Sequence, residues 1–460
     1  MKTPFVSRIL LFACLTALAT AAAKEPPRPS IDPALSLATF DAAWRLVDES
    51  PYDVRGKGVD WDAVRERHRP EAAKARDVQA LRRSILAMLQ EIGESHFTLI
   101  PASVGELAAG GSADAEPPAS PRPRETGMRA ALVDGRATVL TVRGDSPAGR
   151  QGIRPGWTIE SIDGRPVSAV LNEIARMQDD TLRRAAMLQV DGALRSRLEA
   201  SVMARTVALG LRDGGGQLHE FELAPEPAPG TPVNMPMLPP LVFDLAHERL
   251  PLADGGCIGV IRFNLWAPAL AQAFPGALDE VRQCRGLVID LRGNPGGVIG
   301  TAMGVGGYLV DSPTPLGYIN AGGSSARLPA LPRRVSDAGQ LLSPYDGALA
   351  LIVDGGSAST SEVFVSGLQA AHRARIFGTR SAGMALPSVA KTLPNGDRLM
   401  YAIADLTAPN GERLEGRGIQ PDQPTPPTAA ALLAGRDNAL DAARRWIADT
   451  PHVSRKEPAR

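Results

Sequence analysis

Two glycine-rich turns in the carboxy-terminal half of the chain carry the residue types best suited to chemistry. One, DLRGNPGGVIG, begins at Asp290, and the other, GGSASTSEVF, spans residues 355–364 and contains three serines. Each turn follows a strand-like apolar run and leads into a helix, which directs backbone N–H groups toward negative charge. A serine hydroxyl beside such donors has the geometry that an acyl-transfer nucleophile needs.

A second interpretation of the serine-rich turn is purely structural. Ser359-Thr360-Ser361-Glu362 fits a capping box, in which a serine side chain accepts the third helical N–H and the Glu362 side chain reaches back. The local sequence predicts the start of a helix in either case and leaves the two interpretations open.

A hydroxyl nucleophile needs a base within hydrogen-bond reach, normally a histidine or a lysine. His96 is the histidine of interest, because GESHFTL lies in a turn between a helix end and an apolar strand, where loops present functional groups. The contexts of the other histidines are typical of solvated surface: His68, His219, His247, His372 and His452. Lys391 is the local lysine candidate, but its alternating segment SVAKTLPNGDRL predicts a solvated position on a hairpin edge.

Composition and missing motifs exclude several chemistries. Fifty basic and fifty acidic residues give no net charge to attract nucleic acid or anionic lipid. Neither glycine-rich turn has the Lys-Ser/Thr ending of a P-loop, and the chain has no His-Glu-x-x-His or paired-cysteine spacing. We therefore expect no nucleic-acid partner, no cofactor and no metal.

The first 23 residues have the pattern of an export signal. Basic residues precede an apolar run over residues 9–18, and small residues end at Ala23. Cys14 raises the alternative of a lipidated amino terminus, which the short apolar run before it and the bulky Phe12 disfavour. No later stretch reaches about 18 apolar residues, so we expect a mature chain without a membrane span, in the periplasm or secreted.

Cleavage of that signal leaves two cysteines, Cys257 and Cys284. In an oxidising compartment they could pair, but two separate buried thiols fit the spacing equally well. The sequence leaves the pairing open.

The rest of the chain divides into regions of different periodicity. Residues 30–105 predict amphipathic helices, with Leu37, Phe40, Ala43, Trp44 and Val47 on one helical face. Residues 106–125 are rich in Ala, Gly, Pro and Ser without a period, which is typical of a solvated linker. Residues 126–228 alternate as a β-rich module, residues 229–450 alternate strand with helix as a layered α/β domain, and residues 451–460 form a tail.

The β-rich module resembles a PDZ domain through SPAGRQGIRPGWTIESIDGRPV, residues 146–167. The resemblance implies that a peptide adds a strand to the sheet and that its carboxylate meets the backbone of Gly127, Met128, Arg129 and Ala130. Arg129 departs from the usual glycine and Trp157 from the usual aspartate. A structural module without a ligand is the alternative.

Three motifs in the α/β region resemble, in the same order, those of the C-terminal processing peptidases. They are GLVIDLRGNPGG, LIVDGGSASTSEVFVSGLQAAHRARIFGTRSAGMALPS and ERLEGRGIQPD, and the likeness runs from about Leu37 to Asp422. Members of this family are serine peptidases with a crotonase-like layered α/β core and an inserted PDZ domain. The resemblance implies that fold class here, together with an amino-terminal helical segment.

The resemblance also implies roles for individual residues. The middle serine of the family's Ser-Ala-Ser-x-Ser-Glu run, here Ser359, is the nucleophile, and the oxyanion donors fall on Gly296 or Gly297 and on Thr360. The processing branch uses a lysine in a Gly-Lys-Gly step that here reads Gly383-Met384-Ala385. A thioether cannot accept the hydroxyl proton, so this base is absent.

A tricorn-like branch of the family instead uses a histidine from the helical segment and an acidic residue before the terminal Gly-x-x-Pro-Asp. Ser95-His96 and Glu415 match that pattern. By this resemblance His96 takes the Ser359 proton, while Ser95 and Glu415 orient the ring and stabilise its charged form. Asp422 is predicted to end a turn instead.

We accordingly expect a serine endopeptidase that hydrolyses peptide bonds of exported proteins or peptides through an acyl-enzyme intermediate. Its PDZ-like module would bind the C-terminus of the polypeptide substrate. The missing lysine supports one alternative, a non-catalytic protein that binds a peptide or an apolar ligand on the same scaffold. The sequence leaves the natural substrate and the oligomeric state open.

Overall fold

The computed structural model describes residues 30–102, 122–178, 180–199, 204–235, 240–253, 255–336 and 339–450. The predicted export signal with Cys14, most of the predicted linker and the predicted tail lie outside these residues. The chain divides into two compact units, one containing Pro121–Pro229 and Pro426–Asn438, the other containing Pro27–Ser120, Gly230–Thr425 and the segment from Ala439 onward. Within the described ranges, no helix is both long enough and apolar enough to cross a bilayer.

Three helices and a short strand begin the described chain: α1 Pro33–Asp48, α2 Trp61–Lys74, α3 Val78–Gln90 and β1 Thr98–Ile100. Each helix starts after an aspartate whose carboxylate accepts a backbone N–H of the first turn, a donor without an intrahelical partner. Phe40, Trp61 and Leu81, one from each helix, are fully buried in a shared apolar core. The predicted helical segment is confirmed.

The β-rich module consists of short strands and three helices. They are β2 Arg124–Glu125, β3 Met128–Val133, β4 Arg136–Val142, α4 Pro147–Arg150, β5 Thr158–Ile162, β6 Arg165–Pro166, α5 Val167–Ala175, α6 Asp180–Leu198, β7 Val207–Arg212, β8 Leu218–Leu223 and β9 Glu226–Pro227. The strand order is β3-β4-β5-β7-β8, with β6 paired to β5 and β2 to β9. Because Arg124 and Glu125 pair with β9, they belong to this module and not to the predicted linker.

The α/β domain follows. Its elements are β10 Thr231–Val233, β11 Leu241–Phe243, β12 Leu245–Pro251, β13 Cys257–Phe263, α7 Pro268–Val281, β14 Gly286–Asp290, α8 Ile299–Gly306, β15 Thr314–Ala321, β16 Ser324–Ala330, β17 Ala348–Val353, α9 Thr360–Ala370, β18 Arg375–Gly378, β19 Ser388–Thr392, β20 Arg398–Ala402, β21 Asp405–Thr407 and β22 Gln423–Pro424. Helix α10 Ala429–Leu433 returns to the first unit, and α11 Asn438–Asp449 follows it. The largest sheet of this domain has the order β12-β13-β14-β17-β18-β22 and is parallel except for β12.

Apolar side chains cover both faces of this parallel sheet, because successive residues of a strand point to opposite sides. In β17, Leu349 and Leu351 pack in one core with α7, α8 and α9, while Ala350 and Ile352 pack in another with α11. Chemistry in such a sheet is found outside the carboxyl ends of its strands. The two glycine-rich turns follow β14 and β17, which are neighbours in the sheet.

A small antiparallel sheet, β1-β20-β19, joins the amino-terminal helices to the α/β domain. Thr98 of β1 pairs with Met400 of β20, and Leu399 is buried in the core of α1, α2 and α3. His96 lies just before β1, so this pairing brings it to residues that are distant in sequence.

Cys257 and Cys284 form a disulfide, which joins the start of β13 to the segment after α7. The sequence left this pairing open because the spacing of two cysteines does not give the separation of their Cα atoms.

Candidate active site

Ser359 lies between β17 and α9 in a backbone conformation that residues with a Cβ rarely adopt, with φ 55° and ψ −118°. A Cβ on Gly296 would lie 2.7 Å from the Ser359 Cβ, so the two glycine-rich turns touch at this serine. A strained turn from a buried strand into a helix exposes a serine hydroxyl beside backbone donors, which is the arrangement of a nucleophile elbow.

The turn after β14 bonds the residues on either side of this serine, because the Ala358 N–H donates to the Asn294 carbonyl at 3.0 Å. Gly296 donates its N–H to Asn294 Oδ1 at 3.0 Å, which counts against its predicted role as an oxyanion donor because that hydrogen is already bonded. The carbonyl of Gly297 accepts Thr360 Oγ1–H at 2.8 Å, which holds the turn against α9. Among the described residues, no acceptor bonds the N–H of Gly297 or of Thr360. Both amides are therefore open to a further acceptor.

His96, Ser95 and Glu415 form a continuous chain of hydrogen bonds. His96 Nδ1 lies 2.6 Å from Ser95 Oγ, and Ser95 Oγ donates to Glu415 Oε2 at 2.9 Å. The backbone N–H of Ser95 donates to Glu415 Oε1 at 2.8 Å, across 320 positions of sequence. Because the Ser95 hydroxyl gives its single hydrogen to the carboxylate, it accepts Nδ1–H, which leaves the lone pair on Nε2.

Burial determines the charge states in this chain. Removal from water lowers the pKa of His96 to about 4, so the imidazole is neutral at pH 7. Burial also raises the pKa of Glu415, and the amides of Ala385 and Ser95 that bond its carboxylate oppose the rise. A neutral imidazole can accept a proton, and a hydrogen-bonded carboxylate beside it stabilises the imidazolium that results.

One peptide group connects Ser359 to this chain. The carbonyl of Met384 accepts the Ser359 N–H at 2.8 Å. The N–H of Ala385, which belongs to the same peptide group, donates to Glu415 Oε2 at 2.6 Å. Since C=O and N–H of a trans peptide point in opposite directions, the serine and the histidine chain lie on opposite sides of this peptide.

Glu362 has contacts that sequence reasoning missed. Its Oε1 accepts Ser381 Oγ–H at 2.5 Å and the Gly383 N–H at 2.8 Å. Its Oε2 accepts the Ser359 N–H at 3.0 Å and the Met384 N–H at 3.1 Å. The capping-box pattern signalled the contact with Ser359, but no local pattern signals the contacts with residues 381–384.

Met384, which stands where the resemblance places a lysine, is 43% exposed. Lys391 is exposed on β19, the outer strand of its sheet, as its alternating segment predicts. Neither residue offers a base to Ser359 in the described contacts.

The remaining polar candidates have other environments. His68 and His219 contact carboxylates. His247 and His372 are exposed. His452 lies outside the described residues. The Asp422 carboxylate accepts the Ile376 N–H at 2.8 Å. In the part of the chain that the structure describes, no group of three or more His, Cys, Asp or Glu side chains could hold a metal ion.

Of the predicted peptide-binding residues of the β-rich module, Gly127 directly precedes β3, the edge strand of its sheet, and the other three begin that strand: Met128, Arg129 and Ala130. Gly127 has φ 79°, and a Cβ there would lie 1.9 Å from Ser146 Cβ, so only glycine fits. Farther along the strand, the Leu132 N–H donates to Asp191 Oδ1 of α6 at 2.8 Å. One backbone N–H of this edge strand is therefore already bonded to another residue of the same module.

Two families of known proteins match separate parts of the chain. Residues 257–425 match peptidase family S41, and residues 37–90 match the tricorn protease C1 domain. Residues 257–425 therefore resemble a peptidase family S41 domain. This match confirms the family predicted from the three motifs. The S41 domain contains Ser359 and Glu415, whereas His96 lies outside both matched segments.

Curated relatives are similar to part of the chain. A probable CtpA-like serine protease of Staphylococcus epidermidis is 24% identical over 169 residues, which cover 36% of this chain and 33% of that protein. A probable CtpA-like serine protease of Staphylococcus haemolyticus is 26% identical over 167 residues, covering 36% of this chain and 32% of that protein. The match spans about a third of the length of these relatives.

Solved structures share the fold of the chain. The photosystem II D1 C-terminal processing protease aligns with a TM-score of 0.55 at 21% identity, covering 89% of this chain and 96% of that one. Mature CPAF aligns with a TM-score of 0.60 at 13% identity, covering 92% of this chain and 99% of that one. The predicted layered α/β fold class is confirmed.

Proposed function

We propose that the chain is a serine peptidase that hydrolyses peptide bonds through an acyl-enzyme intermediate. Ser359 is the nucleophile, His96 Nε2 is the base, and Ser95 and Glu415 orient the imidazole. The observation that carries the proposal is the hydrogen-bonded chain from His96 Nδ1 through Ser95 Oγ to Glu415 Oε2, which the peptide group between Met384 and Ala385 connects to a serine held in a strained turn.

Each step uses a group whose charge state suits it. As Ser359 Oγ attacks the substrate carbonyl carbon, the neutral imidazole of His96 takes the hydroxyl proton and later gives it to the leaving amine nitrogen. The C–N bond breaks, an ester to Ser359 remains, and water deprotonated by the same imidazole hydrolyses that ester. The negative carbonyl oxygen is stabilised by the amides of Gly297 and Thr360, and each donor of this kind contributes about 10²–10³ in kcat.

The proposed substrate is an exported polypeptide. The disulfide between Cys257 and Cys284 supports an oxidising compartment, the periplasm or the cell exterior, in agreement with the signal pattern of the first residues. In the β-rich module, the edge position of β3 supports strand addition by the C-terminus of the substrate, as in a PDZ domain.

Labelling with a serine-directed fluorophosphonate tests the nucleophile and its base. The serine oxygen displaces fluoride from phosphorus, so the intact mass of the wild-type protein should rise by one adduct. Ser359→Ala should gain no adduct. His96→Ala should label about 10²–10⁴ times more slowly, because the hydroxyl then loses its general base.

Two substitutions serve as matched controls. Ser366→Ala removes another serine of α9, and His372→Ala removes another histidine with a positive φ, 50° against 62° for His96. Both should label at the wild-type rate.

A non-catalytic binding protein is the second candidate, favoured by the methionine at position 384. Folded wild-type protein that gains no adduct and cleaves no unstructured polypeptide would replace the peptidase proposal with this one.

A further inference from the structure

Glu362 contacts more of its surroundings than a helix cap requires. It is the third residue of α9 and only 1% exposed, yet it bonds groups on two separate segments. One segment contains Ser359, and the other runs from Ser381 to Met384.

The four donors around Glu362 match an ionised carboxylate. Each of its oxygens accepts two hydrogens, which uses the four lone-pair directions that a carboxylate offers. A proton added to Oε2 would displace the amide of Ser359 or of Met384. A proton added to Oε1 would face the hydroxyl of Ser381, whose oxygen already accepts the Ile419 N–H at 2.6 Å.

The carboxylate acts on the position of Ser359 by two routes. It accepts the Ser359 N–H directly, and it fixes the N–H of Met384, whose own carbonyl accepts the same Ser359 N–H. A residue with φ 55° keeps that conformation only while its surroundings enforce it. Weaker contacts at Glu362 therefore release both the serine and the peptide group that leads to Glu415.

No cation neutralises this carboxylate: among the described residues, Glu362 forms no ion pair. The segments packed around Glu362 carry charged groups that bond other partners. Arg292 and Asp354 lie on or beside the glycine-rich turns. Arg380, Glu415 and Arg417 contact residues near 381–385 or their own loop, and His96 lies beyond Glu415. Burial raises the pKa of Glu362 to about 7, whereas burial lowers the pKa of His96 to about 4. The two groups titrate in separate ranges.

We propose that ionised Glu362 is a positioning residue that holds Ser359 in its reactive conformation, and that protonation of this carboxylate disengages the nucleophile. The inference rests on the proposed peptidase function and adds to it a second group, Glu362, whose charge state controls the rate. Hydrolysis then requires a neutral imidazole at His96 and a charged carboxylate at Glu362.

The pH dependence of fluorophosphonate labelling and of peptide hydrolysis separates the two groups. The rate of the wild-type protein should fall toward low pH, and this acid limb of the pH–rate profile should have its midpoint near pH 7, the pKa of Glu362, and not near the pKa of His96. Glu362→Gln cannot ionise, so its rate should be flat between about pH 5 and pH 8 and lower than the wild-type plateau by about 10²-fold.

Ser381 provides a test that keeps Glu362 in place. Ser381→Ala removes one donor to the carboxylate and should move the acid limb upward by about one pH unit, since a hydrogen bond to a charged group favours the charged form. Ser381→Thr keeps the hydroxyl and should leave the limb where it is. This pair decides the question even where Glu362→Gln fails to fold.

The outcomes are distinct. A wild-type limb near pH 4 that Ser381→Ala does not move would overturn the inference, while labelling at Ser359 would still support the peptidase. A Glu362→Gln protein with the wild-type limb and rate would overturn it as well. Folded protein that gains no adduct at any pH would overturn the proposed function instead.

Discussion

The candidate active site depends on side chains, whereas the edge strand of the β-rich module depends on backbone groups. In the site, side chains carry the proposed chemistry, and Ser95 bonds both His96 and Glu415. At the edge of β3 the predicted contacts are backbone groups, and only Gly127 has a conformation that restricts its type. Side-chain chemistry limits which residue types can stand in the active site, whereas binding through the backbone depends on which N–H and C=O groups the fold leaves unpaired.

The two regions also differ in the state of their backbone donors. In the site, the amides of Gly297 and Thr360 have no acceptor among the described residues. At the edge, the Leu132 N–H bonds Asp191, and the Thr126 N–H bonds the carbonyl of Leu198. Thr360 is buried and Gly297 is exposed, so the open amide of Thr360 is the unusual one, since buried donors are normally paired. The bonded donors at the edge must be released before a ligand strand can pair.

The largest expected effect tests whether Ser359 and His96 act as one unit. Ser359→Ala and His96→Ala should each lower kcat by roughly 10⁴–10⁶, and the double variant should be no worse than either single one. Steady-state kinetics on a fluorogenic peptide measure this, with Ser366→Ala as the control. Multiplicative losses in the double variant would mean that the two groups act independently.

Removal of the orienting groups should have a smaller effect. Glu415→Gln and Ser95→Ala should each lower kcat by roughly 10²–10⁴ with little change in KM, because the imidazole loses its orientation but remains present. Glu412→Gln, an exposed carboxylate of the same loop that pairs with Arg417, is the matched control. Equal rates for Glu415→Gln and wild type would remove Glu415 from the proposed site.

A methyl group at Gly297 should disturb the backbone side of the site. Its Cβ would lie 2.4 Å from the Trp266 carbonyl oxygen at φ 141°, so Gly297→Ala must shift the turn. We expect kcat to fall by about 10² and stability by roughly 1–3 kcal/mol. Gly300→Ala, where a Cβ meets no atom within 4 Å, should leave kcat and Tm unchanged. An unchanged kcat in Gly297→Ala would exclude this amide as an oxyanion donor.

The buried carboxyl group of Glu362 should also make the free energy of unfolding depend on pH. Its pKa is raised from 4.5 to about 7 on folding, so its contribution is fully present below pH 4.5 and is lost as pH rises through 7. Urea unfolding from pH 5 to 8 should show wild type losing stability relative to Glu362→Gln, by at most about 1.4 kcal/mol per pH unit. Parallel stability curves would mean that Glu362 keeps its ordinary pKa.

The smallest expected effect concerns the edge strand. Asp191→Ala frees the Leu132 N–H, so a peptide that adds to β3 should bind about fivefold more tightly, the equivalent of one hydrogen bond. Isothermal titration with peptides that differ in their C-termini measures the change, with exposed Glu173→Ala on α5 as control. Labelling of Ser359 should be unaffected. Unchanged or weaker peptide binding would exclude β3 as the binding edge.

Much of the fold follows from local periodicity. The helices α1 and α3 and the hairpins β7-β8 and β19-β20 lie where their patterns predict them, because each buries its own apolar face. The pairing of β2 with β9 and the disulfide between Cys257 and Cys284 were not predictable. Both depend on how distant segments meet, which local spacing does not contain.

The sequence alone determined the chemical inventory of the candidate site: a serine before a helix, a histidine after one, an acidic residue near the end of the domain and no lysine at position 384. Acid–base chemistry permits few residue types, so these remain recognisable in the chain. Only the tertiary structure decided that Gly296 is bonded to Asn294, that one peptide group joins Ser359 to Glu415, and that Glu362 binds four donors. Hydrogen bonds of this kind depend on direction and on burial, which arise when strands and turns from different parts of the chain pack together.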